Sequence, residues 1–144
     1  MNRLKNENGS TLIIVLLVLV IFTISVSLLS FQINNMSAQF KKTEAVIEAK
    51  HLADMGEEYY KAYVNKTVQD DPDSVDLGFL ETQLKTPFMP SKTVIIDSES
   101  KFEITPLNIS EDGDGFIIEY KIIGTVGTEK AVNNSEIKID ITIN

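Results

Sequence analysis

The sequence predicts an α+β chain: a long N-terminal helix packed against a small C-terminal antiparallel sheet of about four strands. Three observations lead there. Residues 10–40 carry no charged side chain. Apolar residues then recur at helical spacing as far as Val64. Beyond residue 92 the period drops to two, with turn residues between the runs.

The 144 residues give room for one domain and a membrane element. The net charge of −8 averages over unlike regions. Residues 1–9 hold Arg3, Lys5 and Glu7, one net positive charge, which leaves −9 on residues 41–144. An acidic surface repels nucleic-acid phosphate over most of its area, which counts against broad nucleic-acid binding. The chain has no cysteine, so disulfides, thiolate metal sites and cysteine nucleophiles are excluded. The distal part must hold together by its apolar core.

The first element is Thr11–Phe31, TLIIVLLVLVIFTISVSLLSF, in which 16 of 21 residues are apolar and neither Gly nor Pro occurs. As a helix it rises about 31 Å, close to the ~30 Å hydrocarbon core of a bilayer. Its β-branched residues would suit a strand in water. In lipid a lone strand leaves its amides unpaired, so the helix is expected. Arg3 and Lys5 predict a cytoplasmic N-terminus and send residues 41–144 outward. Ser25, Ser27 and Ser30 either let neighbouring helices approach or bond back to the carbonyl four residues earlier; the second is the favoured reading.

Three readings of this run stay open. A cleaved secretory signal calls for a shorter apolar core followed by a small-residue site, whereas these serines lie inside the run and no A-x-A follows. A plain single-pass anchor fits the length and the charges. The third places a processing site ahead of the run, at Gly9.

Asn6–Phe22, NENGSTLIIVLLVLVIF, carries that third reading. A short basic leader, MNRLKNENG, ends in glycine and runs into an uncharged helix; the pattern resembles the class III leader of type IV pilins and pseudopilins. The resemblance covers roughly residues 3–66 and, beyond them, architecture only. It implies cleavage between Gly9 and Ser10, a retained apolar helix and a pilin-like fold. A glycine there makes physical sense, because a peptidase can approach a backbone without a side chain closely. The chain departs from the family twice: Ser10 stands where most members begin with Phe, and Ile14 where most carry Glu. That carboxylate is thought to pair with a neighbour's N-terminal amine, and its absence characterises certain minor or tip-located members. The implied partners are other pilin or pseudopilin subunits through the N-terminal helix, a prepilin peptidase, an assembly platform protein and an ATPase, and membrane lipid. No cofactor is implied. The implied location is the cell membrane, single-pass, then the filament or cell surface.

Past Phe31 the helical period persists. Val46, Ala49, Ala53, Gly56, Tyr60 and Val64 recur beside Leu52, Met55, Tyr59 and Tyr63, opposite Lys50, Asp54, Glu57, Glu58, Lys61 and Asn65. Glu57 and Lys61 stand four apart in the favourable order. One helix from Ser10 to about Lys66 is predicted. Gly56 costs its interior ~1 kcal/mol relative to Ala, a cost expected to be offset by close packing over it. His51, the only histidine, reads as a surface or boundary imidazole.

Val68–Ser74 reads as a polar connector, residues 75–85 as a short helix weakened by Gly78, and residues 86–92, with two prolines, as its close. Thr93–Asp97 and Lys101–Ile109 read as strands. Phe116, Ile118, Tyr120 and Ile122 alternate with Ile117, Glu119, Lys121 and Ile123, and Ile137, Ile139, Ile141 and Ile143 with polar residues. Glu111–Gly115, EDGDG, reads as an Asp-Gly hairpin turn rather than a calcium loop. A second break is expected near Gly127–Lys130 or Asn133–Ser135. The predicted organisation is thus a leader at 1–9, a transmembrane or filament helix at 10–40, its amphipathic continuation at 41–66, a connector at 67–92 and a sheet at 93–144.

No catalytic constellation assembles: there is no thiol, histidine pair, G-x-S-x-G or phosphate-binding glycine loop. The expectation is a non-enzymatic filament subunit. The alternative is an uncleaved single-pass membrane protein with an extracytoplasmic binding domain.

Overall fold

The computed structural model describes residues 7–113 and 115–140. Arg3, Lys5, Ile141 and Ile143, named above, lie outside the described residues. The chain divides into two compact units, Met1–Lys41 and Lys42–Asn144.

Helix α1 spans Glu7–Asp70. The described part of the first unit is α1 from Glu7 to Lys41, which is uncharged over residues 10–40. There the Thr23 hydroxyl donates to the Leu19 carbonyl at 2.8 Å, Ser25 to Ile21 at 2.8 Å and Ser27 to Thr23 at 2.9 Å. These bonds bear out the favoured reading of the serines at positions 25 and 27: each hydroxyl is satisfied within its own helix.

In the second unit α1 runs four residues past the expected end. The Thr67 hydroxyl donates to the Tyr63 carbonyl at 2.9 Å, and Val68 packs against the core. Half-burial of Thr67 and Val68 carries the helix past the polar look of VQDD, while Gln69 and Asp70 stay exposed. After single 3₁₀ turns at Pro72–Ser74, α2 (Leu77–Leu80) starts where the Asp76 carboxylate accepts the Phe79 amide at 2.7 Å. A π turn at Glu81–Lys85 and a 3₁₀ turn at Thr86–Phe88 continue it.

The sheet is a four-stranded antiparallel meander in chain order: β1 (Lys92–Ile95), β2 (Ser100–Asp112), β3 (Gly115–Val126) and β4 (Glu129–Asp140). The β2–β3 and β3–β4 hairpins each open on a glycine of positive φ, Gly113 (φ 62°) and Gly127 (φ 55°). Two-residue hairpin loops need that left-handed step to match strand twist. In EDGDG the glycine therefore occupies the first loop position, with Asp112 paired to Gly115. Of the two expected second breaks, the one at Gly127 is realised, and Asn133–Ser135 lies inside β4. Between β1 and β2, the Asp97 carboxylate accepts the amides of Glu99 and Ser100, both at 2.8 Å. These bonds hold its pKa below the ordinary carboxylate value.

Strand β2 carries Pro106 in its interior, where a ladder hydrogen bond cannot be donated. The register shifts between Pro106 and Asn108, leaving Leu107 as the extra residue. The bulge changes the phase: Phe102, Ile104 and Pro106 face inward on even numbers, and Ile109 does so on an odd one. An unbulged strand would turn Ile109 to the opposite face.

The core lies between α1 and the inner sheet face and is closed by α2 and its extensions. Ala49, Ala53, Gly56, Tyr60 and Val64 of α1 are buried against Phe102, Ile104, Ile118, Tyr120 and Ile122. Leu80, Leu84 and Phe88, four apart, fill the remaining side. The Tyr60 ring meets Phe88 edge-on at 5.1 Å and Tyr120 at 4.8 Å between centroids. The buried stripe is narrower than the periodicity suggests. Val46, Met55 and Tyr59, on its flanks, are 40, 41 and 42% exposed. A four-stranded sheet covers only the centre of an apolar helix face that wide.

Two glycines set how closely helix and sheet approach. A Cβ at Gly56 would come to 2.8 Å from Ile122 Cγ2 and 2.9 Å from Phe102 Cδ2, so the packing expected over this residue is present. A Cβ at Gly124 would collide with the backbone of Ala49 and Ala53. Glu57 and Lys61 form the expected ion pair at 2.7 Å. His51 is exposed.

Candidate functional site

The second unit offers little for chemistry. Among the described residues no group of three or more His, Cys, Asp or Glu side chains is placed to hold a metal ion. One open depression of about 410 Å³ lies at the β2 bulge, lined by Leu107, Glu119, Tyr120, Asn134, Ser135 and Glu136. Another, of about 420 Å³, gathers Asp97, Glu99, Lys101 and Lys130 at the β1–β2 turn. The second also holds Ser98, Ser100 and Thr125, with the Ser100 hydroxyl beside the Asp97 carboxylate that already accepts the turn amides.

The side chains with shifted pKa values are structural. Burial pushes the Tyr60 phenol well up, with Tyr120 and Tyr63 adding to it; its hydroxyl donates to the Leu84 carbonyl at 3.3 Å. Burial also raises Tyr120, reinforced by the Glu57 carboxylate and opposed by Lys61 and the Ser135 side chain; its hydroxyl is buried with no partner at 3.5 Å or less among the described residues. The hydrogen bond to Glu57 raises Lys61.

The first unit is chemically the opposite. From Leu12 to Phe40 every large apolar side chain named along the helix is between 46 and 68% exposed. The described residues contain one helix long and apolar enough to cross a membrane, and none of its most apolar 18-residue window is buried. Placing such a surface in hydrocarbon gains roughly 25 cal/mol for each Å² of apolar area removed from water. Backbone amides paired along the helix carry no desolvation penalty there.

The positions singled out in the sequence all lie on this helix. Gly9 and Ser10 fall within α1, three and four residues into its span. Ile14, where the pilin-like pattern has a carboxylate, is 60% exposed among other aliphatic side chains. No charged residue occurs in the sequence between residues 10 and 40. Sequence reasoning missed Leu80, Leu84 and Phe88 as core residues, although their four-residue spacing was a readable signal.

The chain matches no protein-family model, and no curated protein or solved structure is significantly similar to it. What defines its class is therefore the arrangement itself: an α+β protein whose long N-terminal helix carries a membrane-compatible apolar portion and, farther along, packs on a four-stranded antiparallel sheet.

Proposed function

We propose that the chain is a minor pilin or pseudopilin, a structural subunit of a type IV pilus, competence pilus or type II secretion-like filament. The observation that carries this reading is one helix with two kinds of surface. Residues 10–40 are uncharged, and within them Thr11–Phe31 exposes apolar side chains on all sides, whereas Ala49–Val64 present a single stripe buried under a sheet. A membrane anchor alone needs no helix continuing into the folded domain; a subunit that transmits assembly force along its own backbone does.

The mechanism is mechanical. In the membrane pool the apolar helix is solvated by lipid, with the N-terminus cytoplasmic and the sheet outside. Prepilin peptidase cuts between Gly9 and Ser10. The ATPase and platform protein draw the subunit out, and its helix exchanges lipid contacts for packing among similar helices. Ile14 cannot pair with a neighbour's terminal amine, so the subunit starts or caps a filament rather than extending it. The protein has no catalytic role in this reading.

The two departures at Ser10 and Ile14 also suit the second reading, an uncleaved single-pass protein whose outer domain binds another envelope component. Sequencing the N-terminus of the mature protein separates the two. A chain beginning at Ser10 supports the filament subunit; one beginning at Met1 supports the anchor. Gly9→Ala is expected to abolish the mobility shift of processing while leaving membrane insertion intact. A variant processed like the parent chain counts against the filament reading.

A further inference from the structure

Helix α1 begins at Glu7, so the Gly9–Ser10 bond lies inside helical backbone, in the first turn. In an α-helix each carbonyl accepts the amide four residues further on. The Gly9 carbonyl is therefore taken by the Ile13 amide, and the Ser10 carbonyl by the Ile14 amide. Hydrolysis needs the Gly9 carbonyl free. Water adds to its carbon and the bond to the Ser10 nitrogen breaks. The Gly9 carbon keeps the water oxygen as a carboxylate, and both water protons end on the Ser10 nitrogen as an ammonium. The charge developing on the carbonyl oxygen has to be met by donors of the peptidase. A carbonyl engaged along its own helix is not offered to them.

The local sequence makes this turn the easiest part of α1 to open. Asn8, Gly9, Ser10 and Thr11 are successive poor helix formers, and glycine is the poorest after proline. The first turn also lacks intrahelical partners for its own amides, so fewer bonds hold it. From Leu12 to Phe22 the chain reads LIIVLLVLVIF, where surrounding hydrocarbon penalises any amide left unpaired. Opening is easy up to that border and unfavourable beyond it.

We infer that the start of α1 is a gate on processing: the helix masks the Gly9 carbonyl, and the peptidase acts on the minor population in which residues 7–14 are unwound. The gate rests on the filament reading, which supplies the cut at Gly9, and adds what controls its rate. Where opening is fast relative to cleavage, the rate follows the open population. The helix propensity of the residues between the leader charges and the apolar run thus sets how fast a subunit is processed.

Gly9→Ala alters the side chain at the bond and the helix together, so the test uses neighbouring positions. The full chain in lipid vesicles is incubated with prepilin peptidase, and the fraction shifted in mobility is followed in time. Asn8→Ala, which favours the helix, is expected to be cut about threefold more slowly than the parent, and Asn8→Gly about twofold faster. Ile13→Pro removes the amide that holds the Gly9 carbonyl and is expected to be cut severalfold faster. Amide hydrogen exchange at Ile13 in the uncut chains, in detergent, reads the opening without the peptidase. Its rate is expected to rank the parent and the two Asn8 variants in the order of their cleavage. The gate is overturned by equal cleavage of those three chains, by cleavage that ignores the exchange order, or by slower cleavage of Ile13→Pro. An Ile13 amide that exchanges like a free one in the parent also overturns it. In each of those cases a cut at Gly9 leaves the filament reading standing, whereas a parent chain left uncut overturns both.

Discussion

The two portions of α1 contain similar side chains and treat them differently. Phe22 in the first unit is 67% exposed, and Phe88, packed against the second portion, is 1% exposed. Over Thr11–Phe31 the first portion is apolar on every side, and its large apolar side chains are exposed among the described residues. The second is apolar along one stripe and polar elsewhere. A helix apolar all round needs a surrounding apolar medium, whereas a one-sided helix needs a single partner surface. The comparison teaches that this chain makes its core with the second portion, while the first has the length and composition to cross a membrane.

The largest test of that division removes an aromatic ring from each region. Phe88→Ala deletes a buried ring held between Tyr60 and Tyr63 and is expected to cost about 3–5 kcal/mol of stability of the second unit. Phe22→Ala is expected to change that stability by less than about 0.5 kcal/mol. Urea melts of the full chain in detergent, followed by tyrosine fluorescence, measure both. Comparable losses would mean that the first unit contributes to the fold, and the division fails.

A smaller contrast concerns the two glycines under α1. At Gly124 an added methyl meets backbone atoms of Ala49 and Ala53, which can yield only if helix and sheet separate. At Gly56 it meets the side chains of Ile122 and Phe102, which can shift. Gly124→Ala is therefore expected to cost about 2–3 kcal/mol, at the upper end of overpacking. Gly56→Ala recovers ~1 kcal/mol of helix propensity against its overpacking and is expected to cost about 1 kcal/mol net. The same melts rank them, and a reversed order would mean that the sheet moves more readily than its side chains.

These glycines also show where reading the sequence stops. The helix, the four strands and the inward faces of β3 were legible because each follows a period of 3.6 or 2. Gly56, an interruption within a periodic helix, signalled the packing over it. Gly124 gave no such signal, because a glycine near a strand end looks like turn chemistry until a helix is laid across it. The bulge at Leu107 was hidden for a related reason: Pro106 announces a missing donor, but only the partner strand shows which residue is extruded. Leu80 and Leu84 fell in the short helix expected at 75–85 and Phe88 in its proline-bearing close, and so short a helix gave too few turns to mark an inward face. Met55 and Tyr59 looked buried because periodicity reports which face is apolar and not how wide the opposing sheet is. The candidate site divides likewise. The uncharged run is visible as physics, whereas Gly9, Ser10 and Ile14 gain meaning only from the leader they resemble.

The smallest contrast lies between two buried phenols. Tyr60 donates a hydrogen bond to Leu84, whereas the Tyr120 hydroxyl is buried near Glu57, Lys61, Ser135 and Glu58 with no partner at 3.5 Å or less among the described residues. Burying an unpaired hydroxyl costs free energy that a phenyl ring avoids. At neutral pH Tyr120→Phe is expected to leave stability unchanged or raise it by about 1 kcal/mol, and Tyr60→Phe to lower it by about 1 kcal/mol. The phenols also fix an alkaline dependence. Both have raised values in the folded chain, so above the ordinary tyrosine value of 10.0 the unfolded chain releases protons that the folded chain retains. Their contribution is whole below pH 10 and is lost progressively above it, until the folded phenols themselves ionise. Lys61, raised by its bond to Glu57, holds its charge above the ordinary lysine value of 10.5, and its contribution also disappears at high pH. The parent-minus-variant difference isolates the phenol: between pH 9 and 11, Tyr120→Phe is expected to lose stability less steeply than the parent. Parallel slopes would show that Tyr120 ionises no later in the folded chain than in the unfolded one, and that its hydroxyl is reached by water.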